Sequence, residues 1–374
     1  MDIEALSRRF GVNAERRKEN GFPVFYSSVA GKRVLVLTDE NTAAFSREAT
    51  DGLRGAGCTV KEYTYPEREP VADEKTVARA MKEGADCDYL LAVGSGTLND
   101  VAKCAGFRLG KPSGVFATAP SMDGYASGVT PLIENGFKIT RPAQTASDVL
   151  MDADVLRNAP RIMIGAGVGD ILAKHSCLTD WRISSYLTGE KYGKEAAELM
   201  YEALHACEAC LPELIAGDGV GADRLMDALL VSGYAMVIAG NSRPASGAEH
   251  HMSHFLEMDF LRRGKPIPLH GVKVGLGTMV SLYLYHTLKD RPDFEKKELV
   301  IKEAEKLPSS ERVKEALSAF GCPVRFSDLD VSADTVRRML FEAYKIRDRF
   351  TILTLYCTRG FMDKAADEIM EIFY

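Results

Sequence analysis

No stretch of the 374-residue chain holds the run of about 18 apolar residues that a membrane-spanning helix needs. The segment DIEALSRRFGVNAERRKENG behind Met1 is polar and charged and lacks the apolar core of a secretory signal, so a cytoplasmic protein with no membrane partner is expected. A basic tract is missing as well. The 47 Lys and Arg are outnumbered by 53 Asp and Glu, and the net charge of −6 is spread along the chain, which argues against a nucleic-acid partner. Internal repeats and low-complexity segments are absent. The eight cysteines (58, 87, 104, 177, 207, 210, 322, 357) are scattered rather than clustered and read as reduced thiols. Cys207 and Cys210 form a lone CxxC in the helical-looking stretch YEALHACEACLPELI. No second ligand pair or thioredoxin-like setting accompanies it, so packing is its expected role.

What is present is an ordinary globular composition, 46% hydrophobic and 27% charged, over a length sufficient for two domains. The first half alternates strand-like and helix-like patterns. Arg33–Thr38, Thr59–Tyr65, Tyr89–Val93 and Val115–Thr118 read as strands, between helices such as Val71–Glu83, and this alternation predicts a parallel sheet wrapped by helices. RVLVLT and YLLAV are nearly continuous apolar runs, as expected at the centre of a sheet covered on both faces. After about residue 160 strand candidates nearly vanish. Helical patterns take over at Asp170–Leu187, Lys194–Ala206, Gly221–Ile238, Ala248–Leu261, Val272–Leu288 and Asp334–Phe350. The expected organisation is a Rossmann-like α/β nucleotide-binding domain over residues 1–160 and an all-α domain over 161–374, with the active site in a cleft between them.

The segment LLAVGSGTLND (Leu90–Asp100) reads as a buried strand, a tight turn, and a helix starting near Thr97. Backbone N–H groups at such a helix start suit a pyrophosphate, and Gly94 and Gly96 allow close approach on either side of Ser95. Thr97 with Asp100 fits a capping box, which is also the plain structural explanation of Asp100. Position 99 is Asn and the turn follows a later strand, so the GxGxxG fingerprint is not met. Asp39 follows RVLVLT, where a carboxylate could bind ribose hydroxyls and repel a 2′-phosphate, favouring NAD(H) over NADP(H); a cap or turn role fits it equally. In Thr118–Ser127 (TAPSMDGYAS) Asp123 is a candidate for holding a substrate hydroxyl, or else a turn residue.

His250 and His254, four residues apart in SGAEHHMSHFLEM, project from one face of a helix, and His270 opens another helix twenty residues after His250. Histidines with a carboxylate and an open position make catalytic metal sites, and Asp170, placed at a helix start behind a Gly-rich turn, is the candidate carboxylate. N-capping is the alternative for Asp170, and spacing does not fix proximity. His251 points elsewhere on its helix.

Together GSGTLND, PSMDGYAS, GVGDILAK, SRPASGAEHHMSHFLE and LHG resemble, in order and spacing from about residue 30 to 290, the superfamily of metal-dependent alcohol dehydrogenases and dehydroquinate synthases. Within it the chain is most similar to the glycerol-1-phosphate dehydrogenase family, in particular its bacterial AraM-like branch. The resemblance implies an NAD(P)-binding α/β domain and a divalent metal on Asp170, His250 and His270. It implies dinucleotide contacts at Gly94, Ser95, Gly96, Thr97 and Asp100, with Thr118 and Ser127 flanking the nicotinamide, and a substrate-side role for Asp123. Iron-type members carry a histidine one turn after the aspartate; this chain has Lys174, which implies zinc or nickel rather than iron. The implied reaction is reversible reduction of dihydroxyacetone phosphate, a small-molecule substrate, to sn-glycerol 1-phosphate, with His254 as proton relay or ligand support and Arg243 or Lys174 as partners of the phosphate. A homo-oligomer, such as a dimer, is also implied. The rival readings are a glycerol or other polyol dehydrogenase, a cyclising lyase of the dehydroquinate synthase type, and a non-catalytic nucleotide-binding regulator.

Overall fold

The computed structural model describes residues 3–134 and 137–374, with the side chain of Phe137 left aside. The chain divides into two compact units, Met1–Pro160 with Pro212–Tyr234, and Arg161–Leu211 with Ala235–Tyr374.

In the first unit β1 (Asn13–Arg16), β2 (Arg33–Thr38), β3 (Thr59–Thr64), β4 (Tyr89–Gly94), β5 (Ser113–Ala117) and β8 (Asp148–Met151) form one parallel sheet in the order β1-β8-β5-β4-β2-β3. β6 (Val129–Glu134) and β7 (Phe137–Pro142) form a separate antiparallel hairpin. This is the expected Rossmann-like sheet. The apolar runs sit where their two-sided hydrophobicity requires: every residue of β4 is buried, and in β2 all but Arg33. Phe25, Val34, Val36, Leu53, Leu91, Val93 and Phe116 share one core beside them. β1 and β8 escape a sequence reading because they are four residues long and carry Asn, Glu, Arg or Asp. Their polar groups are consumed internally. Asp148 accepts from Tyr89 Oη at 2.5 Å and from Asn13 Nδ2 at 2.9 Å, and Glu15 accepts the Val24 and Phe25 N–H groups at 2.9 and 2.8 Å, at the start of the helix Pro23–Val29.

β2 connects outward to β3 while β4, its other neighbour, connects on to β5, so the strand order reverses between β2 and β4. Open parallel sheets bind ligands outside the carboxyl ends of strands at such a switch point. Asp39 and the Gly94-Ser95-Gly96 turn follow these two adjacent strands directly.

Residues 212–234, grouped by sequence with the helical half, pack on the first unit. The Tyr234 ring stacks on Phe10 at 4.6 Å, its hydroxyl donates to Ser7 Oγ at 2.8 Å, and Asp227 pairs with Arg16 at 2.5 Å.

The second unit is helical. The pattern expected as one helix over Asp170–Leu187 is two, Arg161–Leu172 and Lys174–Thr188, meeting at Ala173. Asp170 is therefore near the C-terminal end of a helix and not its N-cap. GAGVGD is helical because its glycines are the contact surface with other chain segments. A Cβ on Gly169 would lie 2.5 Å from the Gly271 carbonyl oxygen, and one on Gly165 would lie 2.6 Å from Phe320 Cβ. The helix expected through Phe350 ends at Glu342. The histidine-bearing helices match expectation at Ala248–Arg262 and His270–Thr287. Among the described residues no helix is long and apolar enough to cross a membrane, and all eight cysteines are free thiols.

Candidate metal centre and nucleotide-binding turn

Glycine sets the metal cluster through helix contact. A Cβ on Gly271 would lie 1.8 Å from the Ala166 carbonyl oxygen, so Arg161–Leu172 and His270–Thr287 cross backbone against backbone. Gly277 similarly lets the helix Ala248–Arg262 approach, since a Cβ there would lie 2.6 Å from the Glu249 carbonyl oxygen. These crossings bring Asp170, His250 and His270 together from three helices, with one donor atom from each lying within 4.8 Å of the others. Asp170 Oδ1 is 3.6 Å from His250 Nε2. A tetrahedral ion with donors at about 2.1 Å sets them about 3.4 Å apart, so this set fits one ion with little movement. Three protein ligands leave a coordination position open, the arrangement of catalytic rather than structural sites.

The surroundings keep the Asp170 carboxylate ionised. Burial alone would raise the fully buried Asp170 carboxyl, but the Lys174 ammonium with His250 and His270 overrides it and holds the carboxyl well below the usual range. Lys174 Nζ, itself fully buried, lies 3.5 Å from Asp170 Oδ1 and 3.5 Å from the Ala245 carbonyl oxygen. It lies against the cluster, enclosed by protein. Burial works against protonated His250, yet Asp170 and Glu249 raise its pKa. His254 joins the group, its ring centroid 6.3 Å from that of His250 and 6.2 Å from that of His270, with Nδ1 held by Glu257 Oε2 at 3.0 Å. His251, one residue from His250, is fully buried with both ring nitrogens lacking a partner among the described residues; burial lowers its pKa to about 3.

Sequence reading missed Glu249. It is next to His250 in the chain, and neighbours on a helix normally face different ways. Here its Oε1 accepts both from the Gly247 N–H at 2.6 Å and from His250 Nδ1 at 2.8 Å, while Oε2 accepts from Ser176 Oγ at 2.6 Å. The carboxylate folds back over the first turn of the helix, so Nε2 is the nitrogen of His250 that faces Asp170. Arg243 is 2% exposed, its Nε and Nη2 donate to Glu190 at 3.0 and 2.8 Å, and Nη2 also donates to the Phe350 carbonyl at 2.7 Å, a structural engagement.

In the first unit the turn after β4 differs from expectation by one residue. The helix Gly96–Leu109 begins at Gly96 with Ser95 as N-cap, and Ser95 makes no side-chain cap bond. Thr97 is thus inside the first turn and the Thr97–Asp100 capping box does not form. Its glycines also answer to packing: a Cβ on Gly94 would lie 2.6 Å from Leu98 Cδ1, and one on Gly96 would lie 3.1 Å from Met122 Cε. Asp100 is buried with Oδ1 lacking a hydrogen-bond partner among the described residues, and burial pushes its carboxyl up to about 7. Lys103, three residues later on the same helix and fully enclosed, donates to the Gly124 carbonyl at 2.9 Å, Ser127 Oγ at 3.1 Å and the Val129 carbonyl at 3.0 Å; burial lowers it to about 8.

That ammonium ties down the loop on which Asp123 sits, and Asp123 Oδ2 accepts from Ser232 Oγ at 2.7 Å. The Thr118 N–H donates to the Gly94 carbonyl at 3.1 Å, which places Thr118 beside the turn, whereas the Ser127 hydroxyl is engaged within its own loop. Asp39, at the end of β2, accepts from the Thr42 N–H and Oγ1, both at 2.9 Å.

Three comparisons bear on this arrangement. A family model described as iron-containing alcohol dehydrogenase matches residues 17–160. A glycerol-1-phosphate dehydrogenase from Geobacillus thermodenitrificans is 38% identical over 350 residues, covering 87% of this chain and 86% of that protein. One from Bacillus velezensis is 37% identical over 334 residues, covering 86% and 84%. A solved structure, a probable glycerol dehydrogenase from Sinorhizobium meliloti, superposes with a TM-score of 0.67 over 97% of this chain and 98% of that one at 19% identity, which speaks to the fold. On the identity and coverage of these relatives, the chain belongs to the glycerol-1-phosphate dehydrogenase family.

Proposed function

We propose that this chain reduces dihydroxyacetone phosphate to sn-glycerol 1-phosphate, reversibly, using NAD(P)H and a divalent metal ion held by Asp170, His250 and His270. The observation that carries the reading is the convergence of those three side chains within 4.8 Å, in a chain 38% identical to a glycerol-1-phosphate dehydrogenase over most of its length. Zinc or nickel is favoured over iron, because the position one turn after Asp170 holds a buried ammonium instead of a fourth ligand.

When bound, the ion would supply Lewis-acid polarisation of the substrate oxygen, and NAD(P)H would supply the hydride. The residues do the rest. Glu249 fixes the His250 ring by its Nδ1, which presents Nε2 towards Asp170. Lys174 keeps Asp170 ionised at full burial. His254, oriented by Glu257 through Nδ1, passes a proton to the substrate oxygen from its other nitrogen. Asp123, oriented by Ser232, holds a substrate hydroxyl. Gly94, Ser95, Gly96 and Thr97 form the pyrophosphate turn at a helix start, with Asp100 beneath it and Thr118 and Ser127 nearby, and Asp39 selects NADH at the ribose. We assign residues 1–160 to coenzyme binding and the metal to the helical part of 161–374, in a cytoplasmic homodimer. A His254→Asn variant tests the relay: turnover falling a hundredfold or more is on the order expected for a lost general acid, and unchanged turnover would leave His254 only a supporting role.

A further inference from the structure

In the first unit the segment that carries Asp123 runs from β5 to β6 and is shaped by one short helical turn, Asp123–Ala126. Backbone of this kind leaves carbonyl groups that need partners from elsewhere once they are buried. The helix Gly96–Leu109 supplies them. Asn99 and Lys103 lie one turn apart on it and reach the same acceptor: Asn99 Nδ2 donates to the Gly124 carbonyl at 3.4 Å and Lys103 Nζ at 2.9 Å, and Nζ also donates to Ser127 Oγ at 3.1 Å and to the Val129 carbonyl at 3.0 Å. On the other side of Asp123, Met122 packs on the start of this helix, since a Cβ on Gly96 would lie 3.1 Å from Met122 Cε. Asp123 is thus bracketed by contacts with the helix whose first turn is the proposed pyrophosphate site.

An ammonium is a poor choice for filling space. Lys103 is 1% exposed, and burial of its charge is unfavourable where an apolar side chain of similar volume would pack without that penalty. What the ammonium adds is direction: its three N–H donors match three acceptors, all of them on the segment Gly124–Val129. Burial lowers Lys103 to about 8, while Asp100 on its own helix and Asp123 on the facing segment favour the charged form, so the donors are present at neutral pH.

We propose that Lys103 is a positioning residue for the substrate: its ammonium fixes Gly124–Val129 to the coenzyme-binding helix and so sets where the Asp123 carboxylate meets a substrate hydroxyl. This rests on the reading of Asp123 as the residue that holds that hydroxyl. The substrate side is thereby registered against the coenzyme side through one buried side chain.

Steady-state kinetics of the metal-loaded full chain with dihydroxyacetone phosphate test it, alongside NADH binding followed by fluorescence. Lys103→Met fills the space without a donor, and Lys103→Gln keeps two N–H donors on a shorter, neutral side chain. In Lys103→Met the KM for the ketone is expected to rise about tenfold or more, as for loss of a charged hydrogen bond. The dissociation constant for NADH should stay that of the wild type, because Gly94–Thr97 is untouched, and Lys103→Gln should fall between the two. General loosening of the unit would instead raise both constants together. Should Lys103→Met fail to fold, Lys103→Gln carries the comparison. Asp123→Asn separates the two claims: if it raises the ketone KM while a folded Lys103 variant does not, or if the Lys103 variants raise both constants in parallel, the proposal is overturned. A ketone KM unchanged in Asp123→Asn overturns the reading of Asp123 and the proposal with it.

Discussion

Gly271 stands so close to Ala166 that a methyl group on it would lie 1.8 Å from the Ala166 carbonyl oxygen, and this contact sets His270 beside Asp170. Gly271→Ala must push the two helices apart. Overpacking of this kind costs about 1–3 kcal/mol, and each kcal/mol lowers Tm by roughly 2–4 °C in a unit of this size. We expect a lower melting temperature and less than one metal ion per chain by elemental analysis. A variant that melts like the wild type and keeps its metal would show that the contact does not set the cluster.

Glu249→Gln isolates the carboxylate behind His250. The amide oxygen can still accept from the Gly247 N–H, but the charge on His250 Nδ1 is lost. Metal affinity should fall by about 10- to 100-fold, as for other partners of ligating histidines. Competition with a chromophoric chelator measures this, and an unchanged dissociation constant would remove Glu249 from the site.

Asp100 links the turn to pH. Its carboxyl is held protonated up to about pH 7, whereas the unfolded chain releases that proton near pH 4. The folded state therefore binds more protons in this window, and stability falls as pH rises from about 4 to 7. Asp100→Asn removes the penalty. The variant should match the wild type at acidic pH and be more stable at pH 8, by at most about 4 kcal/mol, less the lost attraction for Lys103. A variant that melts lower at pH 8 would mean the ionised carboxylate has a compensating partner.

Much of this was legible because it depends on local pattern. RVLVLT and YLLAV announce buried parallel strands, and the spacing of His250 and His254 announces one face of a helix. The hidden features depend on tertiary contact. GAGVGD looks like a loop and is a helix, since Gly169 and Gly165 pack against neighbouring segments. Glu249 carries no signal in the sequence, yet it accepts from the Gly247 N–H, Ser176 Oγ and His250 Nδ1. The helical pattern over Asp334–Phe350 does not show that the helix stops at Glu342. The strands β1 and β8, four residues each, are too short to show any period, and β1 is polar as well.

Asp39→Asn tests the coenzyme choice proposed for this chain. Its carboxylate already holds Thr42, so Asp39→Asn keeps the turn largely intact while removing the charge that, on the proposed reading, a 2′-phosphate would meet. The ratio of kcat/KM for NADPH to that for NADH should rise on the order of tenfold, the effect of relieving a like-charge contact. An unchanged ratio would restrict Asp39 to its turn.

The most direct measurement follows NADH absorbance with dihydroxyacetone phosphate and, separately, dihydroxyacetone, using protein stripped of metal by chelation and then refilled with zinc or nickel. The expected result is oxidation that needs the metal and is confined to the phosphorylated ketone, lost in Asp170→Ala and His250→Ala. Equal rates with the unphosphorylated ketone, or full activity without metal, would contradict it.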